Sequence, residues 1–313
     1  MLSTEDTFKL NVLIANSIAI RIDTYKMCVY GLTSEGEEKE LQLNHNDNHD
    51  KYITATQTLL LNKVLGTMGG YPSYLKRWSR MGEVSTKNLN ELLMLGNIEA
   101  VIAVVNVKEL NNDIIKKSWW CATNTDYQAE IGRYLLKKDY VVKTEIGKEI
   151  AQYLFEFLPF IEDTTELMDT IFLILNDDLL TTEQKQSLLK QGMRKSTILC
   201  GFLERNLVDS FAETAIKILK KINNEFVLYR VLNAIGKYYH HPMIMPLETI
   251  EKLQQQIENI NTTDEKTRLF LAGVSEKLVV SEIAANTLAG SNIRKQLKPI
   301  LEPIIKKLNE IKI

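Results

Sequence analysis

Cysteine is scarce in this chain of 313 residues: Cys28, Cys121 and Cys200 are the whole supply. Three thiols so far apart in sequence make neither a disulfide framework nor a zinc ligand set, and a reducing cytosol is the expected compartment. An excess of one charge is missing too, since 38 Lys and Arg face 40 Asp and Glu for a formal net charge of -2. No global field then draws the chain to nucleic acid or anionic lipid, so any such role needs a local patch. The apolar runs all fall short of the ~20 residues that a membrane span takes. The N-terminus lacks a basic stretch leading into an apolar core and a small-residue cleavage site, so neither insertion nor export is expected. Glycine motifs that cradle phosphate are absent as well: Gly31 and Gly69-Gly70 are isolated, and neither G-x-x-x-x-G-K-[ST] nor G-x-G-x-x-G occurs. No consensus recurs at a fixed period, which argues against a regular tetratricopeptide or ankyrin array.

What is present is an ordinary interior. Hydrophobic residues make up 45% and charged residues 25%, proportions too apolar for a disordered chain. Its length suffices for one large core or two ordinary ones. The first fifty residues differ from the rest: Ile18 to Asp23 and Lys26 to Leu32 are rich in Ile, Val and Tyr, and Glu40-Leu41-Gln42-Leu43 alternates with period two after the turn-like Thr33 to Glu37. A strand, turn, strand unit is expected there, preceded by a short helix from Thr4 to Asn16 with Ser3 or Thr4 as N-cap. The polar run Asn44 to Asp50 closes it as a loop.

From Tyr52 the period moves to about 3.6, and helix follows helix to the end. Pro159 stops one at Leu158 because it cannot donate the next backbone bond. Thr181 with Gln184, and Thr262 with Glu265, have the spacing of a capping box. Helices are expected over Leu247 to Ile260 and Asp264 to Leu278, and the breaks at Asn206 to Asp209 and His240 to Pro246 are the candidate boundaries. The fold class expected is mainly α, an irregular helical bundle or HEAT-like α-solenoid with a small N-terminal β-hairpin or meander. The expected divisions are 1-50 as a β-containing unit, 51-205 as a helical domain and 206-313 as a C-terminal helical region.

One segment reads as a signature. Gly69 to Gly82 packs three aromatic residues and three cations between glycine and proline breakers. At helical spacing Tyr74, Trp78 and Met81 share one face, with Lys76, Arg77 and Arg80 largely off it. A core-facing stripe with solvated cations explains this, as does a platform for a partner's carboxylates or for phosphates and stacked bases. Tyr74, Lys76, Arg77, Trp78 and Arg80 are accordingly the candidate partner-binding residues.

Elsewhere the chemistry is thin. Cys121 ends a helix carrying Lys116-Lys117, which could lower a thiol pKa, although a buried cysteine beside Trp119-Trp120 is the simpler reading. His45 and His49 alternate with Asp47 and Asp50 at no recognised metal-ligand spacing. His240-His241 follows Tyr238-Tyr239 at a helix end, where an imidazole suits the helix dipole. The acidic pairs Glu162-Asp163 and Asp177-Asp178 flank apolar helices and read as helix-flanking acids rather than an acid and base pair. No catalytic residue, cofactor or metal is expected.

Three segments carry a family resemblance. Ala19 to Lys26 with Val29-Tyr30-Gly31-Leu32, then Gly70-Tyr71-Pro72 to Trp78-Ser79-Arg80-Met81-Gly82, then Trp119-Trp120 and Phe157-Leu158-Pro159-Phe160, resemble DsrS, a family of soluble proteins encoded with the dissimilatory sulfite reductase system of sulfur-oxidising bacteria. The similarity thins after Cys200. It implies a cytoplasmic accessory or regulatory protein of sulfur oxidation that binds a protein of that machinery, and it carries over no catalytic residues. Two alternatives stand beside it: an RNA- or DNA-binding regulator using the Lys76 to Arg80 patch, and a thiol or sulfur-transfer enzyme using Cys121.

Overall fold

Ser3 opens the first helix as the sequence predicts, its hydroxyl accepting the Asp6 amide hydrogen at 3.0 Å. The computed structural model describes residues 2–44, 49–66, 86–258, 260, 262–286 and 290–311. Among these it is mainly α, with 18 α-helices and a three-stranded antiparallel sheet near the N-terminus. The chain divides into two compact units, Met1–Leu154 and Phe155–Ile313.

The first unit begins with α1 (Thr4–Ala15), β1 (Ala19–Asp23), β2 (Cys28–Leu32) and β3 (Glu38–Gln42). These strands form a meander in the order β1-β2-β3, with Arg21 opposite Tyr30 and Tyr30 opposite Glu40. The first turn uses Met27 at φ 53, with the Asp23 carboxylate accepting the Lys26 amide hydrogen at 2.9 Å. Gly36, at φ 84, supplies the left-handed residue of the second. Helices α2 (His49–Leu65), α3 (Thr86–Leu93), α4 (Ile98–Val105), α5 (Asn112–Ala122), α6 (Gln128–Leu136), α7 (Asp139–Val142) and α8 (Glu145–Phe157), whose last three residues belong to the second unit, follow. His49 and Asp50, expected in a loop, are instead the first residues of α2. Helix α5 packs on α3, α4, α6 and β1, so most of its circumference is buried.

Two polar knots fasten the sheet. Asp6 is fully buried, and its carboxylate accepts from the Asn44 amide at 3.1 Å, from Asn44 Nδ2 at 3.0 Å and from the Tyr52 hydroxyl. A buried carboxylate is tolerated because each oxygen is so occupied. Arg21 lies under Tyr30 and Trp120, with its guanidinium 4.2 and 5.2 Å from the ring centres. It donates to Glu38 Oε2 at 2.7 Å and to the Thr123 carbonyl at 3.0 Å, while Trp120 Nε1 donates to the same Glu38 oxygen at 3.0 Å. One arginine thereby joins all three strands to the end of α5.

The second unit contains a 3₁₀ turn over Leu158–Phe160 and helices α9 (Thr164–Ile174), α10 (Thr182–Gly192), α11 (Ser196–Glu204), α12 (Phe211–Lys221) and α13 (Glu225–Tyr238). It ends with α14 (Ile250–Gln256), α15 (Thr263–Ala272), α16 (Lys277–Asn286), α17 (Ser291–Gln296) and α18 (Lys298–Ile311). Pro159 does end the helix before it, and the Thr181 and Gln184 capping box forms in full. Helix α11 touches α9, α10, α12 and α13, which is why Ile198 to Leu203 are buried without interruption.

Three expectations in this unit need correction. The Thr262 side chain makes no cap hydrogen bond, so that capping box does not form. Helix α14 begins at Ile250, after the Thr249 cap, rather than at Leu247. The expected helix from Asp264 to Leu278 is two helices, because Asn233 of α13 holds Glu276 from across the fold: its Oδ1 accepts the Glu276 amide hydrogen at 2.9 Å and its Nδ2 donates to the Glu276 carboxylate at 3.0 Å. The bend presses the Val274 carbonyl onto α13 at Gly236, where an added Cβ would lie 2.0 Å from that oxygen.

Candidate functional site: an aromatic groove in the second unit

Ser210 caps α12, its hydroxyl accepting the Glu213 amide hydrogen at 3.4 Å, and so fixes Phe211 as the first helical residue. Its ring is stacked on Tyr238 at the end of α13, with centroids 3.9 Å apart and planes 9° from parallel. Tyr239 meets Phe211 edge-on at 6.1 Å and Tyr238 edge-on at 5.0 Å. Phe211 is buried by this cluster, whereas Tyr238 keeps 49% of its surface exposed. Edge-to-face and offset contacts of this kind add about 0.5–1.5 kcal/mol to area burial.

The three rings form one wall of a groove of about 820 Å³ that also takes in Asp209, Glu213, His240, His241 and Arg268. Burial pushes the Tyr239 hydroxyl up to about 12, Tyr238 adding to the effect and Arg268 opposing it, so this phenol stays neutral and able to donate. Arg268 is exposed and holds Asp264 only loosely, Nε to Oδ2 3.5 Å. The helix-end role expected of the histidines is taken by the main chain: the Tyr239 amide donates to Ile235 and Lys237 carbonyls. His241 Nδ1 instead accepts the Met243 amide hydrogen at 3.4 Å.

A smaller cavity of about 300 Å³ involves Phe211 and Tyr238 as well, together with Phe172, Glu204, Asn206 and Lys237. Close to it, Arg230 donates to Asp169 at 2.6 Å and to Glu204 at 2.8 Å, and the guanidinium groups of Arg205 and Arg230 lie 3.7 and 5.7 Å from the centre of the Phe172 ring. Burial raises the Glu204 carboxyl despite the Arg230 charge beside it. Charge pairs in this setting hold α9, α11 and α13 in register.

The sequence-derived candidates fall differently. Tyr74, Lys76, Arg77, Trp78 and Arg80 lie outside the described residues, as does His45. Cys121 is buried, its sulfur 3.7 Å from the carbonyls of Ile20 and Leu93. Burial pushes its thiol up to about 12, outweighing Arg21 and Lys117. Lys117 is itself engaged with Asp113 at 2.6 Å and Asn90 at 2.8 Å. Cys200 is likewise buried, with its thiol raised by burial. Asp163 caps α9 by accepting the Glu166 amide hydrogen. Among the described residues no group of three or more His, Cys, Asp or Glu side chains is placed to hold a metal ion, and no helix is long and apolar enough to cross a membrane.

Phe211, Arg268 and the exposed face of Tyr238 were not singled out by the sequence reasoning. The available signal was the run Tyr238-Tyr239-His240-His241, four rings at the end of one helix. Comparison of the chain with protein-family models, with curated proteins and with solved structures finds no match.

Proposed function

We propose that this chain works by binding and performs no reaction of its own, the second unit receiving a segment of a protein partner in the groove beside Tyr238. The observation that carries the proposal is the Phe211–Tyr238 stack, which backs a half-exposed ring with a rigid support. A tyrosine held this way offers apolar area and a hydroxyl at little cost in side-chain entropy, the property that enriches tyrosine in interfaces. Asp209 and Glu213 in the same groove disfavour phosphate, so an apolar protein segment with a basic side chain for these acids fits better than nucleic acid.

Cytoplasmic accessory work in bacterial sulfur oxidation enters the proposal through the resemblance to DsrS. Affinity capture from the lysate of a sulfur-oxidising bacterium tests both levels. The wild-type chain is expected to retain a protein of that machinery and the Tyr238→Ala variant to lose it by at least tenfold. Equal capture by a folded Tyr238→Ala variant removes the groove from the proposal. The Arg77→Glu, Arg80→Glu variant measures the share carried by the 69–82 segment, and RNA capture lost only in that variant would favour the nucleic-acid alternative.

A further inference from the structure

Two of the four histidines and two of the nine methionines in this chain fall within six residues, His240-His241-Pro242-Met243-Ile244-Met245, followed by Pro246. The segment is non-helical and reverses direction: the Ile244 amide donates to the His241 carbonyl at 3.0 Å, closing a turn with Pro242 and Met243 at its centre. The histidines and Ile244-Met245 thus stand on the two arms of one turn. Ile244 packs against the core of the second unit, whereas Met243 and Met245 are 76% and 69% exposed. With Ile244 anchored between them, both thioethers stand clear of the core. They spend nothing on packing, so their sulfur lone pairs are available.

The nitrogen donors are available too. The His240 ring has no hydrogen-bond partner among the described residues and faces the groove. His241 Nδ1 acts as an acceptor, turned toward the Met243 main chain across a long 3.4 Å bond that a metal ion can displace. Thioethers are soft, neutral ligands that select monovalent copper, and imidazole suits copper as well, while Zn²⁺, Mg²⁺ and Ca²⁺ gain nothing from a methionine sulfur. The two prolines limit the chain entropy lost when such a turn closes on an ion.

We infer that His240, His241, Met243 and Met245 form a binding site for Cu(I) on the α13–α14 turn. The site shares His240 and His241 with the groove but does not depend on the reading of the groove as a docking surface, and its residues bind the ion without any change in its oxidation state.

The test is an anaerobic titration of the full-length reduced chain with Cu(I) against the competitor bicinchoninate, set beside Met243→Leu, Met245→Leu and His240→Asn, His241→Asn double variants. The leucines keep volume and apolarity and remove only sulfur, and both variants retain all three cysteines. The wild-type chain is expected to hold one Cu(I) at least tenfold more tightly than either variant. Equal affinity in all three, or no uptake by the wild type, overturns the inference. Ag(I), a redox-inert stand-in, supplies a second reading by NMR of methyl-labelled methionine: the Met243 and Met245 signals are expected to shift together at one equivalent. Shifts spread over other methionines, or absent from these two, also overturn it.

Discussion

Replacing Gly236 by alanine sets two effects of opposite sign against each other. In an exposed helix interior the change stabilises by about 0.8–1 kcal/mol, because alanine has the higher helix propensity. In α13 the new Cβ would lie 2.0 Å from the Val274 carbonyl oxygen and 3.2 Å from its carbon. Both partners are main chain, so the contact opens only if the α15–α16 bend lifts off α13. Asn233, whose side chain ties Glu276 two residues beyond Val274, resists that movement. Overpacking costs typically 1–3 kcal/mol, and a clash with main chain on both sides belongs at the top of that range. Subtracting the propensity gain leaves a loss of about 2 kcal/mol. With a urea slope of roughly 2–3 kcal/mol per molar, the midpoint should fall by about 0.7–1 M. Far-UV dichroism during urea unfolding measures this directly. Gly273→Ala is the control, since the closest atom there, at 2.3 Å, is the end of the Leu253 side chain, which can rotate away. A Gly236→Ala midpoint at or above that of the wild type, or a larger loss in Gly273→Ala, would refute the reasoning.

Three further outcomes are expected. Arg230→Ala should lose about 3 kcal/mol or more in urea unfolding because it leaves the Glu204 carboxylate with little solvent and no partner, whereas an Arg230→Met, Glu204→Leu pair should recover most of the loss; no recovery would mean that the ion pair is not the source. Asp6→Asn should destabilise nearly as much as Asp6→Ala, by about 1–3 kcal/mol, because three donors converge on the carboxylate and an amide brings a donor of its own. A thermal scan showing Asp6→Asn equal to wild type would contradict that. Native Cys121 should react with a disulfide probe only as fast as the chain opens. Its thiol is raised from an ordinary 9.0 to about 12, so the native state holds the proton longer than the unfolded one. The contribution to stability is complete below pH 9 and is lost as pH rises toward about 12, so alkaline unfolding should be milder in Cys121→Ala. Rapid native labelling near pH 8 would show the thiol to be exposed.

The helices of the second half were legible because their signals are local. Apolar residues at helical spacing, Thr181 with Gln184, and Asn or Ser before an apolar run each act within four residues. Even so, Thr262 has the same local spelling as Thr181 and makes no cap bond, so a motif of this length states an opportunity rather than an outcome. The break after Ala272 was legible only in part. Gly273, the C-cap of α15, is a local stop signal, whereas the tie that holds the bend comes from Asn233, forty residues earlier in the chain, with Gly236 making room for it. The groove has the same character, assembled from residues 209–213, 238–241 and 268, whose proximity exists only after α12, α13 and α15 have packed. Cys121 was read correctly as buried from its neighbours Trp119 and Trp120, because a hydrophobic setting around a thiol is a local property.

The aromatic wall has a spectroscopic consequence. All three tryptophans of the chain, Trp78, Trp119 and Trp120, precede the second unit, and of the 12 tyrosines only Tyr229, Tyr238 and Tyr239 fall within it. Two of those three rings line the groove. Fluorotyrosine incorporated throughout the chain therefore gives twelve resonances, of which the second unit supplies three and the groove two, and Tyr238→Phe and Tyr239→Phe variants assign them. Occupancy of the groove could then be followed without attaching any probe to the partner.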